Sequence, residues 1–277
     1  MIKKQWESLA ITVTFCFICN ALTTSLIPNA MKKLILLIVL VVMVCSSTVA
    51  HNIMFKHLEV RDGMPSNQIN SIYKDSRGFM WFGTASGLAR YDGYRFKVFY
   101  SSDNDPASLP NSYIEKITED GEGRLWIRTG ESGYVIYNWD TEDFVRDVRS
   151  YMWDIGIDGT PRFVFVDSRK NMWFAVDGKG CYRYRPGEKK AEVLSFGGKG
   201  MPEGIVMDIV ECKDGVVVVY DNGHVLCIDR EEVKVKWELT DIMKEMGTRT
   251  EIFFLYVDKD DDLWIYGAPG VWAYNLP

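Results

Sequence analysis

The sequence predicts an all-β fold, a β-propeller of four-stranded blades. Three observations carry that expectation: one pattern occurs five times, its tryptophans recur at a period in the mid-forties, and each copy is a set of short apolar runs cut by Asp and Gly turns. The copies run from Ile69 to Asp92, Ile114 to Asn138, Phe163 to Tyr184, Met207 to Asp229 and Ile252 to Asn275. Trp81, Trp126 and Trp173 are 45 and 47 residues apart, and Trp264 follows Trp173 by 91, two periods. The skipped copy has Val218 near the expected place. A repeat of this length made of short strands reads as one sheet per repeat.

Within a copy, Ile69 and Ile72, or Ile114 and Ile117, mark a first strand. Asp75 to Gly78 and Asp120 to Gly123 mark the turn, because Asp bonds the backbone ahead of it and glycine takes positive φ. "FMWFGT" and "RLWIRT" are second strands. Gly87, Gly133, Gly180, Gly223 and Gly270 open the next turn, and "LARYD", "YVIYN", "CYRY", "VLCID" and "VWAYN" are third strands. A fourth follows, as in "RFKVFYS" or "AEVLSF". A lone hairpin is marginal in water, so each copy needs the next for cover. Second strands that are bulky on both faces fit sheets covered on both sides. The column Trp81, Trp126, Trp173 and Trp264 is read as packing between blades, not as a sugar-stacking ladder, since a ligand site needs no copy in every blade. The fifth copy ends at a third strand, and Asn52 to Val60 is expected to supply the missing one. That would close a five-bladed ring, since an unclosed sheet leaves edges open; a truncated fragment or split gene of a larger propeller is the favoured reading over closure.

At 47% hydrophobic and 13% aromatic the chain has apolar surface for a large core. Its formal net charge of -6 argues against nucleic-acid binding, which needs basic stripes. Met31 to Ala50 reads as a secretory signal peptide: Lys32 and Lys33, then the apolar run Leu34 to Val44, then Thr48 and Ala50 at the -3 and -1 places of a cleavage site. The expected organisation is a mis-assigned extension over 1–30, a signal peptide over 31–50, and a propeller over 51–277 with repeats near 63–108, 109–155, 156–200, 201–245 and 246–277. A periplasmic location follows. Cys181, Cys212 and Cys227 remain in the mature part. Their odd count and wide spacing point to buried free thiols, with a Cys212–Cys227 bridge across neighbouring strands as the alternative.

Catalytic motifs are absent from the sequence: no Gly-rich phosphate loop, no Gly-x-Ser-x-Gly, no His-Glu-x-x-His, and no Cys-x-x-Cys outside the leader. No cofactor and no metal is expected. Asp258, Asp260 and Asp262 alternate as calcium ligands do, but Leu263 and Pro269 stand where a calcium loop wants Gly and Glu. The stretch aligns with the Asp turns of the other copies and is read as one. A pair of carboxylates for glycoside cleavage is not singled out by any spacing. The most atypical inter-repeat segment, Asn138 to Arg162, carries Trp139, Arg146, Arg149, Tyr151 and Trp153. Aromatic platforms with cations suit anionic or neutral sugars. The alternative is an ordinary fourth strand and loop with Trp153 buried.

The stretch "DSRGFMWFGTASGLARYDG" resembles the two-component regulator propeller repeat. The second and fifth copies are similar to it apart from glycine shifts, the third loses the Gly-Thr, and the fourth loses the Trp. The lead-in "FKHLEVRDGMPSNQINSIYKD" resembles the segment that opens such sensors. The resemblance implies the periplasmic sensor region of Bacteroides-type hybrid two-component histidine kinases, in which propellers precede a β-sandwich, a membrane span, a kinase core, often a receiver domain, and a DNA-binding domain. It also implies a response to glycan breakdown products. Implied partners are an oligosaccharide or other small ligand, and the rest of a sensor kinase or a second copy. His51, His57 and His224 sit in no kinase-like context, so the chain is expected not to be an enzyme. A free-standing secreted binding or scaffold module, and a propeller glycosidase or lyase, are the alternatives.

Overall fold

The structure, a computed structural model, describes residues 55–194, 204–240, 242–247, 253–268 and 270–276, with 28, 33 and 202 as single positions. Two compact units divide the chain, 1–57 and 58–277. The signal-peptide and extension readings lie outside the described residues.

The second unit is a run of five antiparallel sheets, each with its strands in sequence order. The first holds β1 (Ile69–Lys74), β2 (Met80–Thr84), β3 (Gly87–Tyr91) and β4 (Phe96–Phe99); the second holds β5 (Ile114–Glu119), β6 (Leu125–Thr129), β7 (Gly133–Asn138) and β8 (Asp143–Val145). In the third are β9 (Phe163–Val166), β10 (Met172–Val176), β11 (Gly180–Tyr184) and the two-residue β12 (Glu192–Val193). The fourth comprises β13 (Val206–Cys212), β14 (Gly215–Tyr220), β15 (Val225–Ile228) and β16 (Val235–Leu239). The last has three strands, β17 (Phe254–Val257), β18 (Asp262–Gly267) and β19 (Gly270–Asn275). Two short helices join sheets, α1 (Arg149–Asp154) and α2 (Ile242–Met246). First strands stand side by side in the order β1, β5, β9, β13, β17, so the sheets radiate from a common inner line as propeller blades do.

The Asp turns show why the repeat keeps its residues. In four copies the aspartate lies six residues before the tryptophan and accepts its indole N–H: Asp75 from Trp81 at 2.7 Å, Asp120 from Trp126 at 3.0 Å, Asp167 from Trp173 at 3.0 Å and Asp258 from Trp264 at 2.9 Å. The other carboxylate oxygen takes backbone N–H groups of the turn, Phe79 in the first copy and Arg124 in the second. One side chain thus shapes the hairpin and satisfies a buried donor on the next strand. Asp258 does the same with Asp260 and Asp262, which supports the turn reading of that acidic run.

The core is four apolar layers, one in each junction between successive sheets. Trp81, Leu88 and Phe99 meet Leu125, Ile127, Val135 and Tyr137 in the first; Trp126, Tyr134 and Ile136 meet Val164, Met172 and Phe174 in the second. Trp173 and Ala175 meet Ile209, Val216 and Val218 in the third, and Val217, Val219 and Cys227 meet Leu255, Leu263 and Ile265 in the fourth. Alternate residues of each middle strand therefore serve different layers, as the two-sided bulk of the second strands required.

Two expectations are corrected. Residues 55–59 form no strand; the chain instead makes a 3-10 turn at Val60–Asp62, with Asp62 accepting the Glu59 amide at 2.9 Å and Gly63 at φ 109° reversing it. Met64 is then buried, and Gly63 and Pro65 settle against Phe96 and Gly87 of the first sheet. Among the described residues this segment adds no fourth strand to the last sheet. Cys212 and Cys227 are not on neighbouring strands, because β14 lies between β13 and β15. Both cysteines, and Cys181, are buried free thiols; burial pushes the Cys181 thiol up to about 11.

Candidate functional site

Each blade puts its first turn, an Asp turn in four of the five, at one end and its second hairpin at the other. The longest described connections, 100–113 and 146–162, leave from the hairpin end. Loops on a rigid scaffold are where binding residues collect. There, between the second and third sheets, two adjoining cavities of about 460 and 420 Å³ share Glu131, Gly133, Thr160 and Pro161. The first adds Arg128, Arg162, Asp177 and Lys179; the second adds Tyr134, Arg146, Asp147 and Arg149. Gly159 at φ 135° lets the chain pass close to Val176 at the floor of the first, where an added Cβ would stand 2.9 Å from a Val176 methyl.

Arg128, Arg162, Lys179 and Arg149 of this groove are held in ion pairs before any ligand arrives. Arg128 Nε is 2.8 Å from Glu115 and its guanidinium lies 4.9 Å from the Phe163 ring centroid. Arg162 is 3.6 Å from Asp177, and Lys179 pairs with Asp158. Arg149 grips Asp147 through two bonds of 2.8 and 2.9 Å and holds its carboxyl down at about 2. Beneath, toward the inner line of strands, burial pushes the Lys116 ammonium down and the Asp208 carboxyl up, each opposed in part by the other's charge. Once Glu115 and Asp158 behind the lining are counted with Glu131, Asp147 and Asp177, five carboxylates stand against Arg128, Arg146, Arg149, Arg162 and Lys179, so the groove offers donors and acceptors side by side. That matches the hydrogen-bonding habit of hydroxyl-rich, uncharged molecules better than that of a polyanion.

Of the five residues expected to bind, the groove brings together Arg146 and Arg149. Trp139 sits at the opposite end of the blade, its indole N–H on the Gly123 carbonyl at 3.2 Å, edge-on to Trp81 and Tyr137 and with Arg77 3.9 Å above its ring. Tyr151 lies between blades, 5.1 Å from Trp126 by ring centroids and accepting a bond from Arg124 at 2.9 Å, and burial raises its phenol. Trp153 is on α1, where the alternative had it buried; it is 68% exposed. The residues that sequence reading missed are Arg128, Glu131, Arg162, Asp177 and Lys179. For all but Arg162, which ends the 146–162 connection, the signal is charge at the second hairpin: "RTGESG" and "VDGKG" stand where the first copy has "TASG".

Arg146 has a second task. Its guanidinium donates to the carbonyls of Ser108 (2.8 Å), Asp105 (2.9 Å), Leu109 (3.2 Å) and Ser102 (3.3 Å), and to Ser108 Oγ (2.8 Å). It therefore pins the 100–113 connection to the second blade. Arg146→Ala is expected to lower stability by about 1.5–3 kcal/mol, the range for lost bonds to a charged donor. Arg149→Ala is expected to leave the urea midpoint where it was. Equal midpoints for the two variants would refute the pinning role.

The two-component regulator propeller family model matches residues 63–86 and 108–131, the first and second copies. Histidine kinase P4 of Formosa agariphila is 33% identical over 58 residues, 21% of this chain and 4% of that protein. Among solved structures, the extracellular domain assigned to hybrid two-component system BT3049 of B. thetaiotaomicron superposes with a TM-score of 0.59 at 20% identity, covering 79% of this chain and 30% of that one. The extracellular domain assigned to one-component system BT4673 of the same organism gives 0.51 at 22% identity, covering 76% and 30%. The chain thus spans less than a third of these solved relatives. At such identities the likeness establishes the β-propeller fold.

Proposed function

We propose, from the premise that this chain is built of two-component regulator propeller repeats, that it serves as the extracytoplasmic, ligand-sensing part of a two-component signalling system and performs no catalysis itself. The observation that carries the reading is the match of two successive copies to that family model at 63–86 and 108–131. The names of the similar proteins support it: a histidine kinase, and extracellular domains of signalling systems. A signal peptide over 31–50 would place the repeats in the periplasm, and the kinase would be carried outside the repeats. The ligand proposed is a neutral oligosaccharide, released from a larger glycan and held in the groove between the second and third blades.

The test is titration calorimetry of the chain against neutral and uronic-acid oligosaccharides. Binding of a neutral member, weakened at least about tenfold by Arg162→Ala, is expected; a factor of that size is one good hydrogen-bonded contact. Heat from uronic acids alone would sink the neutral assignment. Turnover of any of them would sink the non-catalytic one.

A further inference from the structure

A residue three places after the glycine of each second hairpin faces a partner on the fourth strand. In the second sheet the pair is Ile136 and Val145, in the third Arg183 and Glu192, and in the fourth Leu226 and Glu238. These are apolar, oppositely charged or mixed. In the first sheet the pair is Arg90 and Lys97. Two cations directly opposite each other repel, and a sheet loses stability by holding them.

Both cations line a cavity of about 380 Å³ at the Asp-turn end of the first two blades, the end away from the groove. Phe79 and Phe96 form its apolar wall, and Arg95, Asp92 and Glu142 complete it. Part of the relief comes from the second blade. Glu142, in the turn between β7 and β8, sets one oxygen 2.7 Å from Arg90 Nη2 and pairs with Lys97 through the other. Lys97 and Arg90 together hold its carboxyl below the usual range. It reaches them from φ 55°, a left-handed backbone that few residues besides glycine adopt. Strain of this kind gathers at ligand sites. Arg90 is fixed where it stands: 4.7 Å over the Phe79 ring, bonded to the Tyr137 hydroxyl at 3.0 Å, its side chain 15% exposed. Arg95 and Asp92, 3.5 Å apart, cancel, and Asp92 gives its other oxygen to the Tyr94 and Arg95 amides. One carboxylate against Arg90 and Lys97 leaves a positive charge unmatched, in a chain of net charge -6.

We propose that this cavity is a second binding site, for a small organic carboxylate with a flat apolar body, of the benzoate class. Its carboxylate takes the charge that Glu142 leaves unmatched on Lys97 and Arg90, and its ring lies against Phe79 and Phe96. The inference does not rest on the sensing role. The volume is at the small end of ligand sites, which suits one ring and not a chain of sugars. A bare inorganic anion would match the charge but leave the apolar wall uncovered. A neutral ring would cover the wall but leave the charge.

The experiment titrates the full chain with benzoate, and with benzamide and sulfate as controls, by calorimetry. Benzoate is expected to bind, and each control to bind at least about tenfold more weakly, the worth of one charged contact. Lys97→Met is expected to weaken benzoate by a similar factor. Glu142→Gln is expected to tighten it at least about threefold, the scale of one screened charge removed. The Lys97 side chain is 43% exposed, so its change spares the fold, and circular dichroism checks both variants. Absence of benzoate binding would overturn the proposal. So would benzamide or sulfate binding as tightly as benzoate, since the charge or the apolar wall would then play no part. A Lys97→Met chain that binds benzoate as the parent does would place the ligand elsewhere. Weaker binding by a folded Glu142→Gln chain would equally overturn it; if that variant fails to fold, Lys97→Met decides alone.

Discussion

Trp126→Ala is expected to destabilise the chain by about 3–5 kcal/mol, and Trp264→Ala by only about 1–2 kcal/mol, although the two occupy the same place in their repeats. Trp126 is fully buried between the second and third sheets, against Tyr134, Tyr151 and Phe174 at ring separations of 6.4, 5.1 and 5.7 Å. Removing it empties a site walled on both sides, and the sheets cannot close over the hole without leaving their shared inner line. Trp264 is half-buried and has a wall on one side, so truncation deletes less contact and leaves no cavity. Both indoles keep the same aspartate bond, so the difference isolates the covering sheet. Asp120→Ala should fall between them. It strands a buried indole N–H, at about 1–3 kcal/mol, and also frees Arg124, which holds Asp120 at 2.7 Å. Urea unfolding followed by circular dichroism measures all three. Equal losses for Trp126→Ala and Trp264→Ala would mean that the repeat place, and not the neighbouring blade, sets the burial.

The fold was legible because the repeat encodes its own assembly. The spacing Asp75–Trp81, Asp120–Trp126, Asp167–Trp173 and Asp258–Trp264 is constant because one carboxylate serves both the turn and the indole. Reading the tryptophans gave the period; the bond to the aspartate explains why both residues vanish together in the fourth copy, where the turn is one residue shorter and Val217, not the expected Val218, lies on the tryptophan's face. The groove was not legible in the same way. It is assembled from 128–133, 146–149, 158–162 and 177–179, four stretches of two repeats that come together only because two blades stack. Their charges look like solvated turn residues until Glu115, Asp158 and Asp177 are seen to pair with them. Trp139 and Tyr151 lie outside the groove, which sequence could not show for the converse reason: an aromatic beside a cation has one appearance in sequence, whether it stacks a sugar or, like Trp139 under Arg77, caps a blade. The helix α1 was missed because six residues, Arg149–Asp154, are too few to show a helical period against the strand-like "YMW" within them.

Gly215→Ala is expected to cost about 3 kcal/mol or more, at or above the upper end for overpacking, while Gly78→Ala costs about 1 kcal/mol. Gly78, Gly123 and Gly215 align in sequence as the third residue after the start of the first turn, but Gly215 is itself the first residue of β14 and pairs with Cys212. At Gly78 and Gly123 the backbone needs glycine for φ of 95° and 80°, and a Cβ at Gly78 would meet nothing within 4 Å. At Gly215 the reason is different. Its Cβ would fall 2.1 Å from the Ile228 carbonyl oxygen and 3.2 Å from Cys227 Sγ, and a backbone oxygen cannot rotate aside as a side chain can. The fourth copy has given up both the aspartate and the tryptophan, and its hairpin closes instead by direct contact. Cys212 pairs with Gly215 across the strands, and the bare glycine lets the Cys227 thiol reach the Cys212 thiol, a hydrogen bond that lowers the Cys212 pKa. Urea midpoints of the two alanine variants provide the comparison. If Gly215→Ala proved as mild as Gly78→Ala, strand β15 would have room to retreat, and the close approach of β14 and β15 could not be what replaces the missing aspartate–tryptophan clamp.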